Sequence, residues 1–138
     1  MAARTKARKK ALDVLYQSEM RSVDPLVALA ELEAQSDGPI NPYTRVIVEG
    51  VESHKTRIDD LLSTYSADWP LTRMPAVDRN LLRIGTWELL WAEDVPPAVA
   101  ISQAVELSQD LSTDNSPSFI NGVLGQLDDI KDHLVLEP

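Results

Sequence analysis

The stretch PAVDRNLLRIGTWELLWA, residues 75–92, decides the fold. Pro75 suits a first helical turn, where its missing N–H is not needed. No further proline comes before Pro96, so about five turns can run without a break. Val77, Leu81, Ile84 and Ala92 share one face, Leu82, Gly85 and Leu89 widen it, and Leu90 and Trp91 lie beyond it. A helix apolar over most of its circumference is buried from several sides. This segment is therefore expected to be the core on which the others pack. Glu88 falls on the apolar stripe, where a buried charge must be paired. It is either a structural carboxylate beside an arginine or a contact to a partner protein. Gly85 costs about 1 kcal/mol against alanine inside a helix, which a close helix crossing would offset.

Outward from this segment, helical patterns alternate with short breaks. Residues 4–20 place Ala7, Ala11, Val14, Leu15 and Ser18 on one face, with Leu12 and Tyr16 beside it. Asp24-Pro25 opens a second helix with an N-cap acid and a first-turn proline, running to about Ala34. Residues 36–42 hold Gly38, Pro39, Asn41 and Pro42 and read as a loop. From Pro42 to Tyr65, Ile47, Val51, His54, Ile58, Leu61 and Tyr65 alternate at four and three. His54 reads as a packing residue, since no second His or Cys lies near it. Residues 68–75, with Trp69-Pro70 and Met74-Pro75, turn the chain and leave room for one short helical turn. A break over 94–97 precedes a helix at 98–111. STDNSP, residues 112–117, is a polar loop, and a last helix starts near Ser116. The acidic tail after Asp129 is expected to fray. These segments make an all-α chain of about seven helices joined by short loops. At 138 residues it reads as one domain over residues 1–138.

Composition removes several functions. No cysteine is present, which excludes disulfides and thiolate metal sites and fits a reducing cytoplasm. Two histidines, His54 and His133, leave no transition-metal cluster. No apolar run approaches the ~18 residues of a membrane span, and the N-terminus lacks the apolar core of a signal peptide. Neither G-x-x-x-x-G-K-[ST] nor G-x-G-x-x-G occurs, so no phosphate-cradling loop is supported. Twenty-two acidic residues make adjacent acids such as Asp59-Asp60 and Asp128-Asp129 ordinary solvated faces. Gly122-x-x-Gly125 has the spacing of the KH RNA clamp, but it lies in an apolar helical run and reads as close helix packing. No enzyme and no cofactor are expected.

Charge is distributed unevenly. The net charge is −9, yet Arg4, Lys6, Arg8, Lys9 and Lys10 stand in the first ten residues with no acid among them. A basic arm on an acidic body is a recognised asymmetry. The helix macrodipole disfavours cations at that end, so nothing local recommends them. The arm is either a solvated end or a phosphate-binding patch.

Three stretches together resemble the NusB family of transcription antitermination factors. They are ARTKARKKALDVLYQSEM (residues 3–20), VDRNLLRIGTWELL (77–90) and STDNSPSFINGVLG (112–125), and their order and spacing match along nearly the whole chain. The resemblance implies two helical bundles, no catalysis and no cofactor. It implies a cytoplasmic protein that binds the single-stranded boxA element of nascent ribosomal RNA transcripts. The partner would be NusE, a small-subunit ribosomal protein in a second role, and other Nus factors would join the pair on RNA polymerase. By the same resemblance, Arg4, Lys6, Arg8 and Lys9 contact RNA phosphates. Tyr16 lies near that surface, Asn115 and Ser116 belong to the loop facing RNA, and Phe119 lies beside a base. Asp78 and Glu88 match acidic positions of the helix that faces NusE or supports that face. Many relatives carry an acid where this chain has Asn115. A second reading is an interaction adaptor without direct RNA readout. A third is the NusB-like accessory domain of some RNA cytosine methyltransferases, for which the chain carries no cofactor-binding domain. Trp87, Leu90 and Trp91 read first as core packing, with a homodimer face that hides part of the RNA surface as the alternative. One continuous strip joining the cationic start to Phe119 is a further expectation.

Overall fold

The computed structural model describes residues 2–66 and 68–138. Among them are six α-helices: α1 (Ala3–Arg21), α2 (Pro25–Gln35), α3 (Pro42–Tyr65), α4 (Ala76–Trp91), α5 (Pro97–Leu111) and α6 (Ser116–Ile130). Two 3₁₀ turns, Leu71–Arg73 and Lys131–His133, complete the regular structure. The described residues contain no strand. The first 3₁₀ turn is the short helical turn expected between Asp68 and Pro75. The chain forms two compact helical units, Met1–His54 and Lys55–Pro138, and the boundary falls inside α3.

The first unit contains α1, α2 and the start of α3. Ala7, Ala11, Leu12, Val14, Leu15, Ala28, Leu29, Tyr43, Ile47, Val48 and Val51 are its buried apolar side chains. Ser22 closes α1 in the left-handed region (φ 54°) and its N–H returns to the last turn, a geometry that satisfies orphan carbonyls. Ser18 Oγ donates to the Val23 carbonyl at 2.6 Å, and Asp24 accepts from the Leu26 N–H at 2.7 Å as the N-cap of α2. Arg21 and Glu31 then pair across α1 and α2 at 2.7 Å. The hydrogen bond from Arg21 holds the Glu31 carboxyl below its ordinary range. The pair is exposed, so salt screens it. At the other end of α1, Thr44 Oγ1 donates to the Ala7 carbonyl at 3.1 Å and ties it to the start of α3.

The second unit is built on α4. Its nine consecutive residues from Leu81 to Leu89 are all buried, so the helix is covered on all sides, as its sequence predicted. It packs on α5 and α6. Arg83 makes a two-pronged pair with Asp59 of α3, at 2.9 Å from Nε and 3.1 Å from NH2, and donates to Asn80 at 3.1 Å. Asp59 is therefore a structural ion-pair partner and not a solvated acid.

Gly85 marks the close crossing. A Cβ placed there would lie 2.7 Å from Leu124 Cδ1 and 3.5 Å from Ala104 Cβ. Leu124 is fully buried and has little room to yield. Gly85→Val is expected to lower the unfolding free energy by about 2–3 kcal/mol, the scale of overpacking, measured by urea denaturation. Gly122 and Gly125 differ from the close packing expected of them: an added Cβ would meet nothing within 4 Å at either position. The tail also departs from expectation. It is tied back where Trp91 Nε1 donates to the Glu137 carbonyl at 2.8 Å.

Candidate nucleic-acid-binding surfaces

The first surface is the start of α1. No acid stands in its first turn and no side chain caps it. Arg4, Lys6, Lys9 and Lys10 are exposed there. Arg4 places its guanidinium 4.0 Å from the ring centroid of Tyr43, a cation–π contact worth about 0.5–1 kcal/mol at an exposed site. Arg8 lies one turn on, 5.7 Å from the same ring, but is only 4% exposed. Arg8 is thus a packing cation beside Tyr43, and the exposed cations of this helix start are Arg4, Lys6, Lys9 and Lys10. Tyr43 was not singled out from sequence, because only folding brings it under residues 4–8. Tyr16 is half-buried on α1. Asp13 is the acid next along the helix. Partial desolvation raises its carboxyl above the ordinary range, while Lys10 and Lys9 pull it down.

The second surface, in the other unit, is the loop between α5 and α6. Its organiser is Asp78 in the first turn of α4, whose side chain is fully buried. Ser116 Oγ donates to Asp78 Oδ2 at 2.7 Å, and Ser112 Oγ donates to Asp78 Oδ1. Ser116 Oγ in turn accepts from the Thr113 N–H at 3.2 Å and lies 2.7 Å from Thr113 Oγ1. This network fixes the loop and sets the start of α6. Asn115 stands exposed at the N-cap of α6 without using its side chain as a cap, so its amide faces solvent. Phe119 is half-buried one turn later. Its ring meets Trp69 edge-on, with centroids 4.9 Å apart and planes at 64°.

Besides Arg8, three expected contact residues are buried. Ser116 is buried and holds the loop, so the loop presents Thr113, Asp114 and Asn115. Asp78 and Glu88 are 0% and 1% exposed. Neither can touch a partner at the surface, and both act from inside α4. Trp69 is the residue that sequence reading treated only as part of a turn. Among the described residues, no group of three His, Cys, Asp or Glu side chains is placed to hold a metal. No helix there is long and apolar enough to cross a membrane.

Comparison with known proteins places this architecture. The sequence profile of the NusB family matches residues 5–129. The chain is 58% identical over 127 residues to the transcription antitermination protein NusB of a Nocardioides species, covering 92% of this chain and 94% of that one. It is 55% identical over 134 residues to the protein of the same name from Kineococcus radiotolerans, covering 97% and 98%. In structure it is similar to T. maritima NusB, with a TM-score of 0.82, 33% identity and coverage of 97% and 99%. It is also similar to a chain in the crystal structure of antitermination factors NusB and NusE in complex with dsRNA. That match has a TM-score of 0.82, 25% identity and coverage of 94% and 98%.

Proposed function

Because this chain belongs to the NusB family, we propose that it is a transcription antitermination factor acting on nascent ribosomal RNA transcripts. It binds the boxA element as a single strand, together with NusE, within the Nus complex on RNA polymerase, and so works in the cytoplasm. The observation that carries this reading is the exposed quartet Arg4, Lys6, Lys9 and Lys10 at a helix end that intrinsically disfavours positive charge. A NusB and NusE structure holding dsRNA, among those the chain resembles, supports RNA and NusE as partners and does not bear on the single-stranded form.

The division of labour follows from physics. Phosphate contacts supply affinity and salt dependence. Sequence is read on unstacked bases through stacking and hydrogen bonds to base edges. The cations do the first, and Asn115 and Phe119 do the second. The rest of the chain is strongly acidic and repels RNA, so non-specific binding is weak and a partner that extends the RNA surface raises affinity. NusE fills that place. Of the three residues considered for a homodimer face, Trp87 is buried, while Leu90 and Trp91 are half-buried.

The direct test is a titration of boxA and scrambled oligoribonucleotides, with and without NusE, at two salt concentrations. The expected result is boxA selectivity that NusE strengthens. Equal binding of both sequences in the presence of NusE would leave an adaptor without RNA readout as the function. Asn115→Asp is expected to weaken boxA binding three- to tenfold, about 1 kcal/mol for a carboxylate placed a few ångströms from a phosphate in water. Filter binding of the two forms at matched salt measures it, and equal affinities would remove Asn115 from the surface.

A further inference from the structure

We infer that Trp69 and Phe119 form a two-ring platform on which two neighbouring RNA bases stack, one on each ring, which makes Trp69 a base-contacting residue. The inference rests on the RNA-binding reading above and deepens it. Four observations carry it. Both rings are half-buried, so each is held by the protein while part of it stays at the surface. They touch, with centroids 4.9 Å apart. Their planes are inclined at 64°, so two bases lying flat on them cannot stay stacked on each other. The platform therefore accepts single-stranded RNA and rejects a duplex step, whose bases are parallel.

The fourth observation is how firmly the pair is held. Adjacent residues of α4 pin the two segments that carry the rings. Asp78 holds the loop that ends at Ser116, three residues before Phe119. Arg79 reaches the other way: its NH1 donates to the Leu71 carbonyl at 2.8 Å and to the Met74 carbonyl at 3.0 Å. The segment that bears Trp69 is thus clamped just after it. On its other side the Trp69 N–H donates to the Ser66 carbonyl at 3.0 Å, and the Ser66 N–H to Leu62 at 2.9 Å. A platform fixed before the ligand arrives loses little ordering entropy on binding. Stacking on an aromatic ring is tolerant of base identity and is worth about 1–3 kcal/mol per base. Trp69 thus adds affinity for any unstacked base, while Asn115 beside the pair supplies a directional hydrogen bond.

Two variants and one optical readout test this. Tryptophan fluorescence is followed while a single-stranded boxA oligoribonucleotide, and the same sequence annealed to its complement, are titrated with NusE present. The single strand is expected to quench wild-type emission, and the quenching is expected to be lost in Trp69→Phe, which keeps a ring. Trp69→Ala is expected to bind the single strand about tenfold or more weakly, with an unchanged salt slope and unchanged helical circular dichroism. The duplex is expected to leave emission unchanged. If wild type binds the single strand and Trp69→Ala binds it equally well, the platform is overturned while the RNA reading stands. If wild type binds neither RNA, both fall, and the two rings are a packing pair alone.

Discussion

Replacing Arg4, Lys6, Lys9 and Lys10 together with alanine will flatten the salt dependence of RNA binding. Four phosphates neutralised on a single strand give a slope of log K against log salt of about −3, and the variant will bring it close to zero. At low salt its affinity will fall toward that of the parent at high salt. All four side chains are exposed, so thermal unfolding will stay near that of the parent. Arg8→Ala will behave oppositely. Arg8 is buried beside Tyr43, and its loss removes packing of the alkyl stem as well as charge. That variant will melt earlier and keep most of the slope. An unchanged slope in the quadruple variant would place the phosphate contacts elsewhere.

Asp78→Ala will have the largest effect on stability of any loop-supporting change. It removes the acceptor of two serine hydroxyls, one of them fully buried. Leaving buried donors unsatisfied costs about 1–3 kcal/mol each, so urea denaturation will show a loss of about 2–4 kcal/mol. Asp78→Asn preserves the shape and one acceptor and will lose less. Asp78→Ala releases the 112–116 loop from α4 and Asp78→Asn loosens it, so RNA binding weakens in that order while the salt slope stays, because no exposed cation of α1 has been touched. A fully stable Asp78→Ala variant would show that the loop is set by something other than this carboxyl group.

The helices were legible because proline and its neighbours punctuate the chain. Asp24-Pro25 and Pro42 begin α2 and α3, and the all-round apolarity of residues 75–92 announced a buried helix. The close crossing at Gly85 could be anticipated from the cost of glycine there, whereas Gly122 and Gly125 carried the same letter without the same neighbours. The surfaces were legible in part. A run of cations at a helix start is a local feature. Yet the burial of Arg8 follows from its lying one turn before Leu12, on the side that packs, and that spacing was available in the sequence. What no spacing reveals is which distant residue a side chain meets. Tyr43 beneath Arg4, Trp69 against Phe119 and Asp78 beneath Ser116 are pairs separated by 38 residues or more. Nothing in the local pattern around Asp78 or Ser116 shows that they are two ends of one network.

In the proposed function, RNA is held by the cations of α1 and by the aromatic pair. Photo-crosslinking of iodouridine-substituted boxA RNA, with NusE present and adducts mapped by mass spectrometry, tests it most directly. Adducts within residues 4–10 and on Trp69 or Phe119 are the predicted result; adducts found only elsewhere in the chain would contradict it.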